Sequence, residues 1–208
     1  MKLYDFDRSS AAYRVRIALA LKGLRYDSQS VGLRAGEQHQ PWYLAINPQA
    51  LAPTLESDHG LITQSLAIIE YLEEMHPEPP LLPRDPGDRA RARALALAVA
   101  AEIHPIQNLR VLNYVRDTYK VDGDAVRAWA QHWVETGLAA FQKLLGPPKG
   151  KYCLGDQVML PDVLLAPQMV NARRFRCDLA PLGRLVEIDA ALRALPAFRD
   201  TAPPPQSS

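Results

Sequence analysis

Arg8-Ser9-Ser10-Ala11-Ala12-Tyr13-Arg14-Val15-Arg16-Ile17-Ala18-Leu19 is the stretch that decides the fold. Its two serines can accept from the free N–H groups of a first helical turn. An amphipathic pattern then runs from about Ala11 to Lys22, and Gly23 is a stop signal. Upstream, Lys2-Leu3-Tyr4 reads as a strand, and downstream Arg25-Tyr26-Asp27-Ser28-Gln29-Ser30-Val31 reads as another, giving a βαβ unit. Farther out, Pro53-Thr54-Leu55-Glu56 and Leu61-Ile62-Thr63 flank the turn-rich Ser57-Asp58-His59-Gly60 as a hairpin, and Gln64 to Met75 is a second helix. Residues 1–76 therefore form an α/β domain ordered βαβ, a connection, then ββα.

His76-Pro77-Glu78-Pro79-Pro80-Leu81-Leu82-Pro83 cannot continue that helix, because its four prolines remove N–H donors and fix φ. Residues 77–86 are expected to be a linker, and 87–201 an all-α domain. Its helices fall in Pro86 to Tyr119 (one or two), Gly123 to Leu145, Pro161-Asp162 to about Arg174, and Leu182 to Leu195. The Pro-rich segment 202–208 is expected to be disordered. No internal repeat is found.

A chain of 208 residues, 48% hydrophobic and 23% charged, can bury the cores of one or two domains, which argues against extensive disorder. With a net charge of +1, nothing in the total points to charge-driven partners such as nucleic acid or an anionic membrane. Residues 1–83 carry 7 Lys/Arg against 10 Asp/Glu and the remainder 17 against 13, so the basic second half suits a small anionic substrate. Cys153 and Cys177 cannot build a disulfide framework, and no metal-ligand spacing is present. No apolar signal core opens the chain, and no run approaches the ~18 apolar residues of a membrane span. The expectation is a soluble, cytoplasmic protein without metal.

Element ends carry the candidate chemistry. Arg8-Ser9-Ser10 stands between strand and helix, where unpaired N–H groups and the helix dipole favour an anion. Taken alone, either serine is an ordinary N-cap. Ala52-Pro53 opens a strand after Asn47-Pro48-Gln49, and Gln64-Ser65 opens the second helix. His104 and Asn108 are four apart, on one face if the helix runs through them, although a His before Pro is more often structural. Arg173, Arg174 and Arg176 cluster at a helix end, where cations ordinarily serve the dipole and are solvated. Trp129 and Trp133 read as helix core or domain packing, and the cysteines as small buried fillers.

Together with Gln64-Ser65-Leu66-Ala67-Ile68-Ile69-Glu70-Tyr71-Leu72-Glu73-Glu74, His104-Pro105-Ile106-Gln107-Asn108-Leu109-Arg110-Val111-Leu112 and Asn171-Ala172-Arg173-Arg174-Phe175, these blocks resemble the glutathione transferase superfamily. The likeness is greatest to its zeta class, which includes maleylacetoacetate and maleylpyruvate isomerases. It implies a thioredoxin-like N-terminal domain, an all-helical C-terminal domain, glutathione as cofactor and a homodimer. The family's Ser-Ser-Cys signature ends here in Ala11, so no cysteine acts at that position. Met159 stands where the family commonly caps a helix with Ser or Thr; with Asp162 close by, a modest stability loss of about 1 kcal/mol is expected.

By this resemblance Ser9, seconded by Ser10, activates the glutathione thiol. Ala52 pairs main chain to main chain with the cysteinyl residue in front of a cis Pro53. Gln64 and Ser65 hold the γ-glutamyl carboxylate, Gln49 touches the peptide, and His104 and Asn108 make polar contacts to glutathione or substrate. Arg8, Arg110, and Arg174 or Arg176 clamp substrate carboxylates. A thiol of pKa ~8.5 is about 3% ionised at pH 7, and about 75% ionised with a pKa near 6.5. The difference, about 2.7 kcal/mol, is within reach of one charge-assisted hydrogen bond (~1.5–3 kcal/mol) plus a helix dipole (~0.3–1 kcal/mol). The activity implied is glutathione-dependent cis–trans isomerisation of a maleyl oxo acid. The alternatives are a transferase acting on electrophiles such as α-halo acids and a non-catalytic glutathione-binding protein.

Overall fold

Strand β1 (Lys2–Asp5) leads through a tight turn into helix α1 (Ser10–Leu21). Ser9 caps α1, and Gly23, at φ 65°, lets the Leu24 N–H return to Leu19 O at 2.9 Å. Strand β2 (Asp27–Ser30) pairs parallel with β1. The connection holds a single 3₁₀ turn, Glu37–His39, and the four-residue helix α2 (Pro41–Leu44). Strands β3 (Thr54–Ser57) and β4 (Gly60–Thr63) form the expected hairpin, and helix α3 (Ser65–Met75) follows. The sheet order is β2-β1-β3-β4 with β3 antiparallel to both neighbours. This is the thioredoxin-like arrangement.

This computed structural model describes residues 1–204 and divides into two compact units. The first is Met1–Pro80 joined by the chain from Leu195 onward, and the second is Leu81–Ala194. That division corrects the expected domain 87–201, because its last stretch packs with the first unit. There, helix α9 (Pro196–Arg199) buries Phe198 completely, Tyr13 Oη donates to Phe198 O at 2.6 Å, and Arg16 Nε donates to Thr201 O at 3.0 Å. In the segment 202–208, the Ala202 N–H still reaches Arg199 O at 3.3 Å; residues 205–208 lie outside the described residues.

Helix α1 packs on α3 and α9 and has almost no solvent face: nine of its twelve residues are buried, Arg14 and Arg16 among them. Each buried Val, Leu or Ile contributes ~1.5–3 kcal/mol, whereas each buried cation costs energy unless paired. Arg16 meets both oxygens of Asp5, at 2.7 and 2.8 Å, and Asp7 O at 2.9 Å. Lys22, just beyond the helix, meets Glu73 at 2.7 Å and the carbonyls of His76 and Pro79.

The second unit is helical: α4 (Pro86–Leu97), a π-helical segment Ala98–Ile103, α5 (Leu109–Tyr119), α6 (Gly123–Leu145), α7 (Leu160–Arg174) and α8 (Gly183–Arg193). Asp85, Asn108 and Asp122 cap α4, α5 and α6 with their side chains. Gly137 of α6 lies so close to Ile103 that an added Cβ would sit 2.4 Å from its side chain. Trp129 and Trp133 are exposed, contrary to a core reading; they pack edge to face at 6.1 Å, and Trp129 Nε1 donates to Ile106 O.

Candidate functional site

Three element ends of the first unit gather the polar groups expected there. Ser9 is extended, at φ −76° and ψ 119°, and its Oγ accepts from the Ala12 N–H at 3.2 Å. Since the oxygen is the acceptor inside the helix, the hydroxyl hydrogen remains free to be donated elsewhere. Ser10 is the first helical residue and is buried, while Ser9 and Arg8 are half-buried; the Arg8 N–H donates to Asp7 Oδ1 at 2.7 Å.

At the start of α3, Gln64 has φ 70°, a region a non-glycine residue enters at a cost of ~1–3 kcal/mol and one found disproportionately at functional sites. Its amide Nε2 donates to Gln49 Oε1 at 2.8 Å, so two positions fifteen residues apart form one polar pair. Ser65, buried, accepts at Oγ from Arg14 Nη1 at 3.2 Å. Its hydroxyl is thus arranged as that of Ser9 is, oxygen held from inside and hydrogen free.

The third end is the approach to β3. Asn47 Nδ2 donates to Leu51 O at 2.7 Å and Thr54 Oγ1 at 3.1 Å, its Oδ1 accepts from the Gln49 N–H, and Tyr43 Oη donates to Leu51 O. The loop is fixed up to Leu51. Ala52–Pro53 is cis, and the Ala52 main chain makes no hydrogen bond among the described residues. Tyr43, Asn47 and Arg14 are contributors that the sequence reading gave no role. The sequence carried no signal for Arg14, since a helical arginine is ordinarily read onto the solvent face.

In the second unit, His104 and Asn108 do not share a helical face. The His104 N–H bonds Val99 O at 2.9 Å, a five-residue spacing, and the π-helical segment ends at Ile103 with His104 as its cap. Asn108 is the cap of α5 and accepts from the Arg110 N–H at 3.2 Å. Arg110 and Arg176 are exposed, with no side-chain partner among the described residues, and Arg176 sits at φ 59° just past α7. Arg174, half-buried, is the last residue of α7. Arg173 instead pairs with Asp189, buried at the side of α8, which Arg193 also meets at 2.9 Å. Arg173 therefore has a structural partner.

The cysteines are not poised to act. Burial pushes the Cys177 thiol up to about 11, and burial together with the Asp162 carboxylate raises Cys153 well above its ordinary value. Among the described residues, no group of three or more His, Cys, Asp and Glu could hold a metal, and no helix is long and apolar enough to cross a membrane.

Comparison with known proteins gives the same reading. The glutathione S-transferase N-terminal domain family matches residues 3–80. Maleylacetoacetate isomerase of Pseudomonas aeruginosa is 48% identical over 206 residues, covering 98% of this chain and 96% of that one. A holo structure of maleyl pyruvate isomerase, a bacterial zeta-class glutathione S-transferase, superposes with a TM-score of 0.96 at 45% identity over 100% of both chains. Maleylacetoacetate isomerase of Methylobacterium extorquens AM1, solved with bound malonate and glutathione, gives 0.94 at 39% identity over 98% of this chain and 96% of that one. With matched identity running the length of the chain and the serine, glutamine and proline positions at the expected element ends, the chain belongs to the zeta-class glutathione transferases, the family of the maleylacetoacetate and maleylpyruvate isomerases.

Proposed function

We propose that this protein is a glutathione-dependent isomerase that converts a maleyl oxo acid, maleylacetoacetate or maleylpyruvate, to its fumaryl isomer. The observation that carries the reading is the pair of serine hydroxyls, Ser9 and Ser65, each held at its oxygen by an interior N–H and each at a helix N-terminus. Both are arranged to donate to an anion. The residues fit glutathione: Ser9 faces a thiolate, the unpaired Ala52 main chain suits a peptide backbone, and Gln64, Ser65 and the first N–H groups of α3 suit a carboxylate, with Gln49 bracing Gln64.

When bound, glutathione supplies a thiolate able to add to a carbon–carbon double bond and leave it again. The chain's own part is to keep that sulfur ionised, through Ser9 and the positive end of α1, and to hold the substrate's carboxylates with arginine. Candidates for the latter are Arg8, Arg110, and Arg174 or Arg176; a guanidinium there also stabilises negative charge that develops on the oxo oxygen. Ser10, buried as the first helical residue, supports Ser9, and His104 and Asn108 remain candidates for polar contacts to glutathione or substrate. The proposal extends to a homodimer and a cytoplasmic location by the same family likeness; sedimentation of the purified protein tests the first.

The deciding experiment incubates enzyme, glutathione and maleylacetoacetate or maleylpyruvate, and follows both product and free thiol. Fumaryl product with glutathione undiminished supports the isomerase. Stoichiometric loss of thiol makes the protein a transferase, and no turnover makes it a binding protein.

A further inference from the structure

Three cations on α1 and its C-cap are buried, and two have found their counter-charge: Arg16 on Asp5 and Lys22 on Glu73. Arg14 has not. Among the described residues it is the largest fully buried side chain; its Nη1 donates to Ser65 Oγ at 3.2 Å, and its Nε and Nη2 are buried with no hydrogen-bond partner there. Burial, with no carboxylate to offset it, pulls the Arg14 guanidinium down to about 9. A buried cation without an anion is costly, and an apolar side chain of the same volume would be tolerated better. Its one side-chain hydrogen bond among the described residues goes to the first residue of α3, where the helix's own N–H groups already favour an anion.

We infer that Arg14 is a positioning residue for the γ-glutamyl carboxylate of glutathione, holding the Ser65 oxygen from the interior and serving as the buried counter-charge of the anion bound at the start of α3. The inference rests on the assignment of Gln64 and Ser65 to that carboxylate. Two consequences follow from the geometry. By donating to Ser65 Oγ, Arg14 occupies one acceptor position of that oxygen and leaves the Ser65 hydroxyl hydrogen available to a ligand. No carboxylate among the described residues pairs with the guanidinium, so its charge behind the helix N-terminus is available to a bound anion. Arg14 thus acts through Ser65 and the local field, without itself touching the reacting atoms.

The test compares glutathione with 4-aminobutanoyl-cysteinyl-glycine, which is glutathione without the γ-glutamyl α-carboxylate, by calorimetric titration of wild type, Arg14→Met and Arg14→Gln. Wild type is expected to prefer glutathione by ~10-fold or more, the usual order for one charge-assisted contact. Arg14→Met should lose most of that preference by weakening glutathione alone, with kcat at saturating glutathione within about twofold and an unliganded Tm no lower than wild type. Arg14→Gln keeps a donor for Ser65 without the charge and should lie between. Equal weakening of both ligands, or a preference preserved in both variants, overturns the inference. So does failure of both variants to fold, which would make Arg14 a folding residue. If wild type itself shows no preference, the assignment of Gln64 and Ser65 falls and takes this inference with it. A preference present in wild type and untouched in the variants removes Arg14 alone.

Discussion

Ser9 and Ser65 share one geometry yet face different parts of the tripeptide in the reading above, and substitution separates them. Ser9→Ala removes the donor to the sulfur, so the thiol of bound glutathione should titrate up to two units higher. Turnover at neutral pH should then fall by roughly 10–100-fold, while glutathione affinity changes little. Ultraviolet thiolate absorbance against pH reads this directly, and an unchanged titration curve would remove Ser9 from the role. Gln64→Ala and Ser65→Ala should do the opposite, raising the KM for glutathione ~10-fold with a smaller effect on kcat, because they hold a part that does not react. A collapse of kcat at unchanged affinity would contradict that. The place of these residues at helix starts was legible in the sequence, because polar residues before apolar helical runs cap helices; their proposed roles came from the family resemblance. Arg14 was not legible, since pattern reading assigns a helical arginine to the solvent face, and α1 has almost none.

Elements with chemical punctuation at both ends were legible to the residue. Helix α6 begins at Gly123 after the Asp122 cap and ends at Leu145 before Gly146, as its sequence implies. The stretch between Pro86 and Tyr119 was less legible, because nothing in Ala98-Val99-Ala100-Ala101-Glu102-Ile103 announces a π-helical spacing. That lengthened turn and Pro105 place His104 and Asn108 in different elements. Helix α7 shows the converse: its cap position, Met159, makes no side-chain cap bond, and Asp162 in the first turn reaches back instead to the N–H of the cap residue. Asp162 Oδ2 accepts from the Met159 N–H and Oδ1 from the Cys153 N–H, both at 2.9 Å, and the residue is fully buried. Burial pushes its carboxyl up, outweighing the Cys153 thiol and the backbone N–H bonds that pull it down. Asp162→Ala would strand one buried and one half-buried N–H donor at ~1–3 kcal/mol each, partly offset by relief of the buried carboxylate, so about 2–3 kcal/mol of stability should be lost. Urea unfolding measures this, and Asp162→Asn, which keeps one acceptor, should fall between.

Across the molecule, the two-part division was legible because the composition changes at a proline-rich segment, but the place of the C-terminal stretch was not. Tyr13 and Phe198 are 185 residues apart in sequence, and no local pattern specifies such a pairing. The same scale decides substrate choice. In the proposed function most of the candidate arginines lie in the second unit, whose basic excess suits an anionic substrate better than a neutral electrophile. Arg8→Met, Arg110→Met, Arg174→Met and Arg176→Met should therefore be compared on two substrates, a maleyl oxo acid and an uncharged conjugation substrate. A clamp residue loses ~10-fold or more in kcat/KM, about 1.4 kcal/mol, on the acid alone. Equal losses on both substrates mark an arginine that supports structure or glutathione instead. Arg173→Met is the internal control: its guanidinium is already held by the buried Asp189, so its cost should appear in stability, with no discrimination between substrates. If none of the four discriminates while Arg173→Met behaves as stated, the pocket does not select carboxylates, and conjugation of neutral electrophiles becomes the better account of the same thiolate.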